Sequence, residues 1–544
     1  MKKNRMIAMM MSLVLCFSLI GCGSSKASED KNSTESAETG NNILTLALAN
    51  ECETLDPGLC NYLASSSVLS NLFMGLYMTG EDGKTLVNGC AESYDLSDDG
   101  LVYTFHLYDD LKWSDGSPLT AEDFKWSWIR ELKPETASEC ADSLYVVKNA
   151  EKFANGECEE SEIGIETPDD TTLVVTLESP TSYFLDITAE ASLSPVQQAA
   201  VDSSDSWSQS ADTYVCNGAF KLDEINHDES YVLSKNENYK YADDIKLDGV
   251  KIVFIQDSSA TLTALKNNEI DVTNNISAQA QTEFYGTDNL LSFDTLGTTY
   301  YDINCEQFSD ARVRKALGMA LDKETIAQKI MSNKPKAATG FVPEGISYYG
   351  KDDDFRTVVG DLQTYDPDGA KKLLDEAVQD GFELADSYTI IIKNDDEQKK
   401  IAQAMQSMWK ENLGINFEIV TYESGTYWDM FYQGEFGVAA DGWTGDYDDP
   451  NTMLEVFKAS ECDSNHWSGT EAEKYDALIT KCAAEVDQET RFQNFEEAEK
   501  ILMNDCPCIP LCYKESQLLI STDTVDYITS DQLGHVLFKY TKLK

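Results

Sequence analysis

Positive charge is what this sequence has least of. Its 544 residues hold 42 lysines and arginines against 96 aspartates and glutamates, a formal net charge of -54. So acidic a surface repels nucleic acid and anionic lipid headgroups, and no nucleic-acid partner is expected. Histidine is scarcer still, with only His106, His227, His466 and His535 scattered along the chain. The 14 cysteines include no CxxC pair, so no zinc or nickel site and no cofactor are expected. GxSxG, HExxH, P-loop and GxGxxG signatures are all missing, which leaves an enzyme without a motif. Beyond the first residues no stretch approaches the ~18 uninterrupted apolar residues of a membrane span.

What is present begins with a leader. Lys2, Lys3 and Arg5 precede an apolar run from Met6 to Ile20, followed by Gly21 and Cys22. This is the pattern of a signal peptide over 1–21, with a run too short for a permanent span. Leu19 to Cys22 resembles a bacterial lipobox, in which the cysteine is lipidated and becomes the new first residue, so Cys22 is the expected anchor. Without the leader, 39 basic residues face 96 acidic ones, net -57, and attachment to a membrane would need a covalent lipid. Gly23 to Asn42 has no large apolar residue, so 22–42 reads as a flexible, lipid-anchored tether. The 12 remaining cysteines sit in a chain large enough to need no disulfide scaffold, and most read as small buried apolar residues. In CPCIPLC, Cys506, Cys508 and Cys512 share one face if the run is a strand.

About 520 residues are too many for one core, so two or three domains are expected. Strand patterns at Ile43, Leu101, Thr171, Lys251, Tyr388 and Phe417 alternate with amphipathic helices, which gives an α/β or α+β class with no internal repeat. Helix starts are marked by Thr120 with Asp123, by Asp310, and by Asp366 with Pro367. One helical stripe, Ile401 to Trp409, is stopped near Gly414, and another runs from Phe492 to Leu502.

The stretch GWTGDYDDPNTMLEVF, Gly442–Phe457, sets an indole beside Asp446. Such a pair suits a cleft for a small cationic molecule: Trp443 gives a flat apolar wall, and a carboxylate makes a charge-assisted bond to an ammonium. By residue type alone the same string also describes a strand end followed by a solvated turn. The acids admit two other uses: acid–base work by Asp448 and Asp449, and a calcium site from Asp441, Asp446, Asp448 and Asp449. The second lacks the alternating acids of an EF-hand loop.

Read together, the motifs resemble the extracellular peptide-binding proteins of ABC importers, the family that includes dipeptide and nickel binders, and within it the oligopeptide branch. They run in order as TLDPG at Thr54, NLFMGLY at Asn71, the long block around KWSDGSPLTAEDF within Ala91–Trp128, and PETAS at Pro134. NGAFKL at Asn217, KNENY at Lys235, NNEIDV at Asn267, DARVRKALGMALDKETI at Asp310 and GWTGDYDDP at Gly442 complete the series. The resemblance implies an α/β two-lobed clam-shell of the periplasmic-binding-protein kind, in its three-domain, peptide-binding form. A first lobe from 43–73, 197–297 and 514–544 would carry an inserted domain over 74–196, and 298–513 would form the second lobe. Hinge strands are expected near Gly297–Asn304 and Pro510–Gln517.

The implied function is capture of an extended peptide for import, not catalysis. The expected partners are a peptide, permease subunits of the transporter and, through the lipid, the outer face of the cell membrane, with the protein itself a monomer. A receptor for a signalling peptide on the same fold is the alternative. By resemblance Asp446 holds the peptide's α-ammonium, Trp443, Gly442 and Thr444 border the peptide, the segment around Leu63 faces its other edge, and Tyr300 lines a pocket. The sequence departs from the family where a basic residue for the ligand's carboxylate is sought, having Met331, Gln398 and Ala440. After PETAS it has Glu139 and Cys140 in place of a proline and an aromatic.

Overall fold

A computed structural model describes residues 42–60, 62–460 and 464–544. The leader, Cys22 and the tether up to residue 41 lie outside the described residues. Strands Tyr388–Lys393 and Phe417–Tyr422 fall where the alternation put them. The helix Ala121–Leu132 starts on the Thr120 box, the Thr120 N–H donating to Asp123 Oδ2 at 2.8 Å. Asp366 caps Pro367–Gln379 by accepting from the Gly369 N–H at 2.9 Å. Among the described residues no helix is long and apolar enough to cross a membrane.

One mixed ten-stranded sheet organises the chain. Its spatial order is Phe417–Tyr422, Tyr388–Lys393, Val438–Thr444, Leu290–Ile303, Cys508–Ile520, Val272–Thr273, Ile43–Leu48, Gly249–Phe254, Ser230–Lys235 and Phe220–Asn226. The two long central strands, Leu290–Ile303 and Cys508–Ile520, belong to both halves of the sheet. They pair antiparallel from Leu290 with Leu519 to Asp294 with Glu515, and again from Thr298 with Tyr513 to Asp302 with Cys508. Between these runs three residues, Thr295 to Gly297, stand opposite Lys514 alone, a bulge that bends the strand and re-aims its second half.

Packing obeys the same division. One core joins Leu46, Trp113, Phe105, Trp128, Ile252 and Phe538, so the 74–196 segment shares its interior with the strands around Ile43. That segment also carries a four-stranded antiparallel sheet of its own, Ala91–Leu96, Val102–Leu107, Thr172–Thr176 and Ile165–Asp169. The two are tied by a bidentate ion pair, Arg130 to Asp56 at 3.0 and 2.5 Å. Separate cores form around Leu317, Ile390 and Trp409, and around Phe341, Phe457 and Phe495.

All described cysteines are free thiols. Cys506 is not on the strand that begins at Cys508. It ends the helix Gln488–Asp505 with φ of 55°, so the three cysteines do not share a strand face.

Candidate functional site

The bulge fixes the Gly442–Pro450 stretch. Leu296, inside the bulge, donates its N–H to Gln532 O at 2.8 Å and accepts the Gly445 N–H at 2.6 Å, so one residue ties the Gly445 turn to the segment at Gln532. A β-carbon on Gly445 would lie 2.6 Å from Thr452 Cγ2, which demands glycine at this close approach. Asp446 is the next residue, its N–H bonded to Thr452 Oγ1 at 3.0 Å.

Among the described residues the strand leading there lacks a strand partner along part of one edge, where the Ala440 carbonyl accepts from the Tyr427 hydroxyl and the Gly442 N–H donates to Asp441. Val438–Thr444 pairs with Gly297–Ile303 along its whole length, but Tyr388–Lys393 reaches only Val438 and Ala439 on the other side. From Ala440 to Thr444 that edge has no strand partner among the described residues, a ready place for an added strand. The stretch is therefore a strand end with a turn, as its residue types suggested, and also a wall of two cavities.

The first cavity holds about 1350 Å3, its open mouth included, and brings together Leu63, Trp443, Thr444 and Asp446. Leu63 opens the helix Leu63–Leu72 and is half exposed. Trp443 is held by its Nε1–H, which donates to Thr452 O at 2.7 Å. Thr444 Oγ1 accepts from Lys514 Nζ at 3.0 Å. Glu139, Cys140, Asp142 and Glu190 complete the acidic side of the wall. Glu139 and Cys140 are the two positions where the sequence departs from the family after PETAS. Nothing in the sequence pointed to Asp142 or Glu190.

No lysine or arginine lines this cavity among the described residues, and His535 is bonded to Asp531 at 2.9 Å. Asp446 is open to the cleft, yet protein surrounds it on most sides. That desolvation, with the like charge of Asp142, pushes its carboxyl up to about 6, opposed only by Thr452. Burial and the nearby Asp446 push Glu190 up to about 8.

Beyond Trp443 lies a second cavity of about 1080 Å3, lined by Gly442, Tyr300, Trp428, Tyr432 and Phe457 with Asp302 and Asp441. Tyr300 is mostly core: it is 5% exposed, packs on Phe341 and Phe457, and gives its hydroxyl to Asp441 Oδ2 at 3.0 Å. A β-carbon on Gly442 would sit 3.2 Å from Lys514 Nζ. Met331, Gln398 and Ala440 contribute to neither cavity. Lys514 and Lys393 stand near the Ala440–Thr444 edge, the latter 4.0 Å from the Trp428 ring centroid; burial raises the Asp441 carboxyl, and both lysines oppose that rise.

The acids of the candidate calcium site take separate partners. Asp449 binds Arg491 at 2.6 and 2.9 Å, Asp448 accepts the Ser347 N–H at 2.7 Å, and Asp441 is held by Tyr300. Among the described residues no group of three or more His, Cys, Asp or Glu is placed to hold a metal ion. Beside them Tyr183 of the inserted segment stacks on Tyr447 at 3.9 Å, and Ser182 Oγ reaches Asp449 at 3.4 Å.

Residues 85–465 match the family described as bacterial extracellular solute-binding proteins, family 5 Middle. The dipeptide-binding protein DppE of Bacillus subtilis is 30% identical over 99% of this chain and 98% of its own length. The periplasmic oligopeptide-binding protein OppA of Salmonella typhimurium is 32% identical over 90% of each chain. Two solved structures share the fold. The murein tripeptide-binding protein MppA in its unliganded open form has a TM-score of 0.78 at 28% identity, covering 92% of this chain and 97% of its own. Listeria monocytogenes OppA bound to peptide has a TM-score of 0.73 at 25% identity, covering 93% of this chain and all of its own.

Proposed function

This chain belongs to the bacterial extracellular solute-binding proteins of family 5, a family of binders rather than enzymes, and from that premise we propose that it captures peptides for an ABC importer. The observation that carries the reading is the strand edge without a strand partner, Ala440–Thr444, running directly into the acid cavity at Asp446. An extended peptide adds a strand there, pairing backbone groups that every peptide offers. Its first residue then arrives at Asp446, whose carboxylate takes the α-ammonium in a charge-assisted bond. Leu63 and Trp443 hold the peptide from opposite sides, Thr444 borders it, and side chains extend into water-filled space on either side of the indole. Gly442 and Tyr300 belong to the second of these spaces.

The lobes divide at the bulge: 43–73, 197–297 and 514–544 on one side with 74–196 inserted, and 298–513 on the other. The bulge is the hinge, because three residues facing one leave the central strands locally unladdered. Ligand touching both sides favours the closed state by those contacts. The protein works as a monomer held to the outer membrane face by a lipid on Cys22. Substitution Cys22→Ser is expected to release it into the medium, and a mutant that stays membrane-bound and fatty-acid-labelled contradicts the anchor.

The test of capture is to purify the protein gently, denature it and identify the released molecules by mass spectrometry. Intact short peptides with free amino termini are expected. A different class of molecule, or an empty protein to which no tri- to pentapeptide binds in calorimetry, overturns the reading.

A further inference from the structure

Resting on the reading above, we propose that the first cavity takes a second cation beside the α-ammonium, the basic side chain of the peptide's first or second residue, with Glu190 and Asp142 as its partners. The ligand class is thus narrowed to peptides that carry lysine, arginine or ornithine near the amino end.

Asp142 and Glu190 face this cavity from the inserted segment, and Asp446 faces it from the strand end. One ammonium supplies a single positive charge. No lysine or arginine lines this wall among the described residues and His535 is engaged by Asp531, while Lys84 and Lys539 line the adjoining cavity that Glu190 and Asp446 also face.

Glu190 itself is incompletely held. Its Oε2 accepts only long bonds from Ser143 Oγ at 3.3 Å and Ser192 Oγ at 3.4 Å, while its Oε1 is buried with no hydrogen-bond partner. Next to it in charge stands Glu131, 2% exposed, whose Oε1 is also without a partner. The charge of the nearby Arg130 opposes the rise of the Glu131 carboxyl, but both of its terminal nitrogens are turned to Asp56. Elsewhere three arginines each pair with a buried or half-buried acid: Arg491 with Asp449, Arg356 with Glu499 and Arg314 with Asp505, at 2.6 to 2.7 Å. A cavity that opens to solvent and is lined by so incompletely held an acid as Glu190 is complementary to a cation brought from outside.

Burial beside Asp446 and Asp142 leaves the Glu190 carboxyl protonated near neutrality, at about 8. A cation at Oε1 favours the ionised form, so the carboxyl O–H gives its proton to the buffer as the basic peptide binds. Proton release is therefore a second readout, independent of affinity.

The experiment is calorimetric titration of the full mature protein with tetra-alanine, with the same peptide carrying lysine at its first or at its second position, and with glutamate at its first. One of the two lysine peptides is expected to bind wild type at least tenfold tighter than tetra-alanine, the glutamate peptide to bind weakest, and the lysine enthalpy to vary with the buffer's ionisation enthalpy. In Glu190→Gln the lysine-to-alanine affinity ratio is expected to fall to within about threefold and the buffer dependence to vanish, with Asp142→Asn lowering the same ratio by a smaller factor. Equal affinities for all four peptides in wild type overturn this inference and leave peptide capture standing. So does a ratio that survives in both variants with melting temperatures unchanged. Binding of none of the four removes peptide capture itself, and this inference with it.

Discussion

The two cavities share the Trp443 indole as a wall and differ in what each side of it holds. On the Asp446 side, several acids line the wall and no lysine or arginine does among the described residues. On the Tyr300 side, aromatic rings dominate, and the acids present are already bonded, Asp441 to Tyr300 and to the Gly442 N–H at 2.7 Å, Asp302 to Asn465 at 3.2 Å. Lys393 and Lys514 stand near Asp441 and not near Asp446. The same strand thus offers a charge-reading end and an apolar, shape-reading end. A binder that must accept many sequences can fix the ligand's orientation at the first and leave the second to tolerate bulk.

The largest blow to this asymmetry should come from Asp446→Ala. Leaving a desolvated ammonium without its partner costs on the order of 2 to 5 kcal/mol, roughly thirty-fold to a few thousand-fold in affinity by calorimetry. Loss of affinity below threefold would make the two ends equivalent.

Acid should erode the charged end next. The Asp446 carboxyl is raised to about 6, so it is ionised above that value and protonated below it, and only the ionised form attracts the ammonium. Binding is expected to be full at pH 7 and to fall about tenfold by pH 5, the ionised share dropping by that factor. In Asp446→Asn this step should disappear from the pH profile. If the mutant keeps it, another acid is responsible.

The smallest effect belongs to the aromatic end. Trp428 stacks on Tyr432 at 5.7 Å and carries Lys393 over its ring. Ring contacts are worth about 0.5 to 1.5 kcal/mol beyond buried area, so Trp428→Ala should weaken peptides with an internal phenylalanine roughly two- to tenfold while alanine analogues change little. Equal loss for both would show that Trp428 serves the fold rather than the ligand.

Much of the architecture was legible because it is local. The alternation in Tyr388–Lys393 and Phe417–Tyr422 and the Thr120 and Asp366 caps are set by neighbours in sequence, and the strands and helices start where those neighbours say. Gly442–Pro450 read from its residue types as a strand end followed by a turn, and the strand Val438–Thr444 ends there, whereas its place in a binding site came from the family resemblance and not from local pattern. Glu190 and Asp142 were not legible, since they reach the cavity from the inserted segment through tertiary packing alone, and an isolated acid in a chain with 96 of them carries no signal. Tyr300 shows the converse. Its motif placed it at a pocket, but only the fold reveals that its hydroxyl is committed to Asp441. Likewise Cys506 looked like a strand residue until the left-handed end of the preceding helix was seen.

The central claim is that Asp446 and the ligand's amino group are partners. Calorimetry of one tight-binding peptide and its N-acetylated form against wild type and Asp446→Ala gives four affinities and a coupling energy. The account predicts that wild type rejects the acetylated peptide strongly while the mutant binds both forms about equally weakly, a coupling that accounts for most of the mutant's loss. A coupling near zero, with the mutant folded, would contradict it.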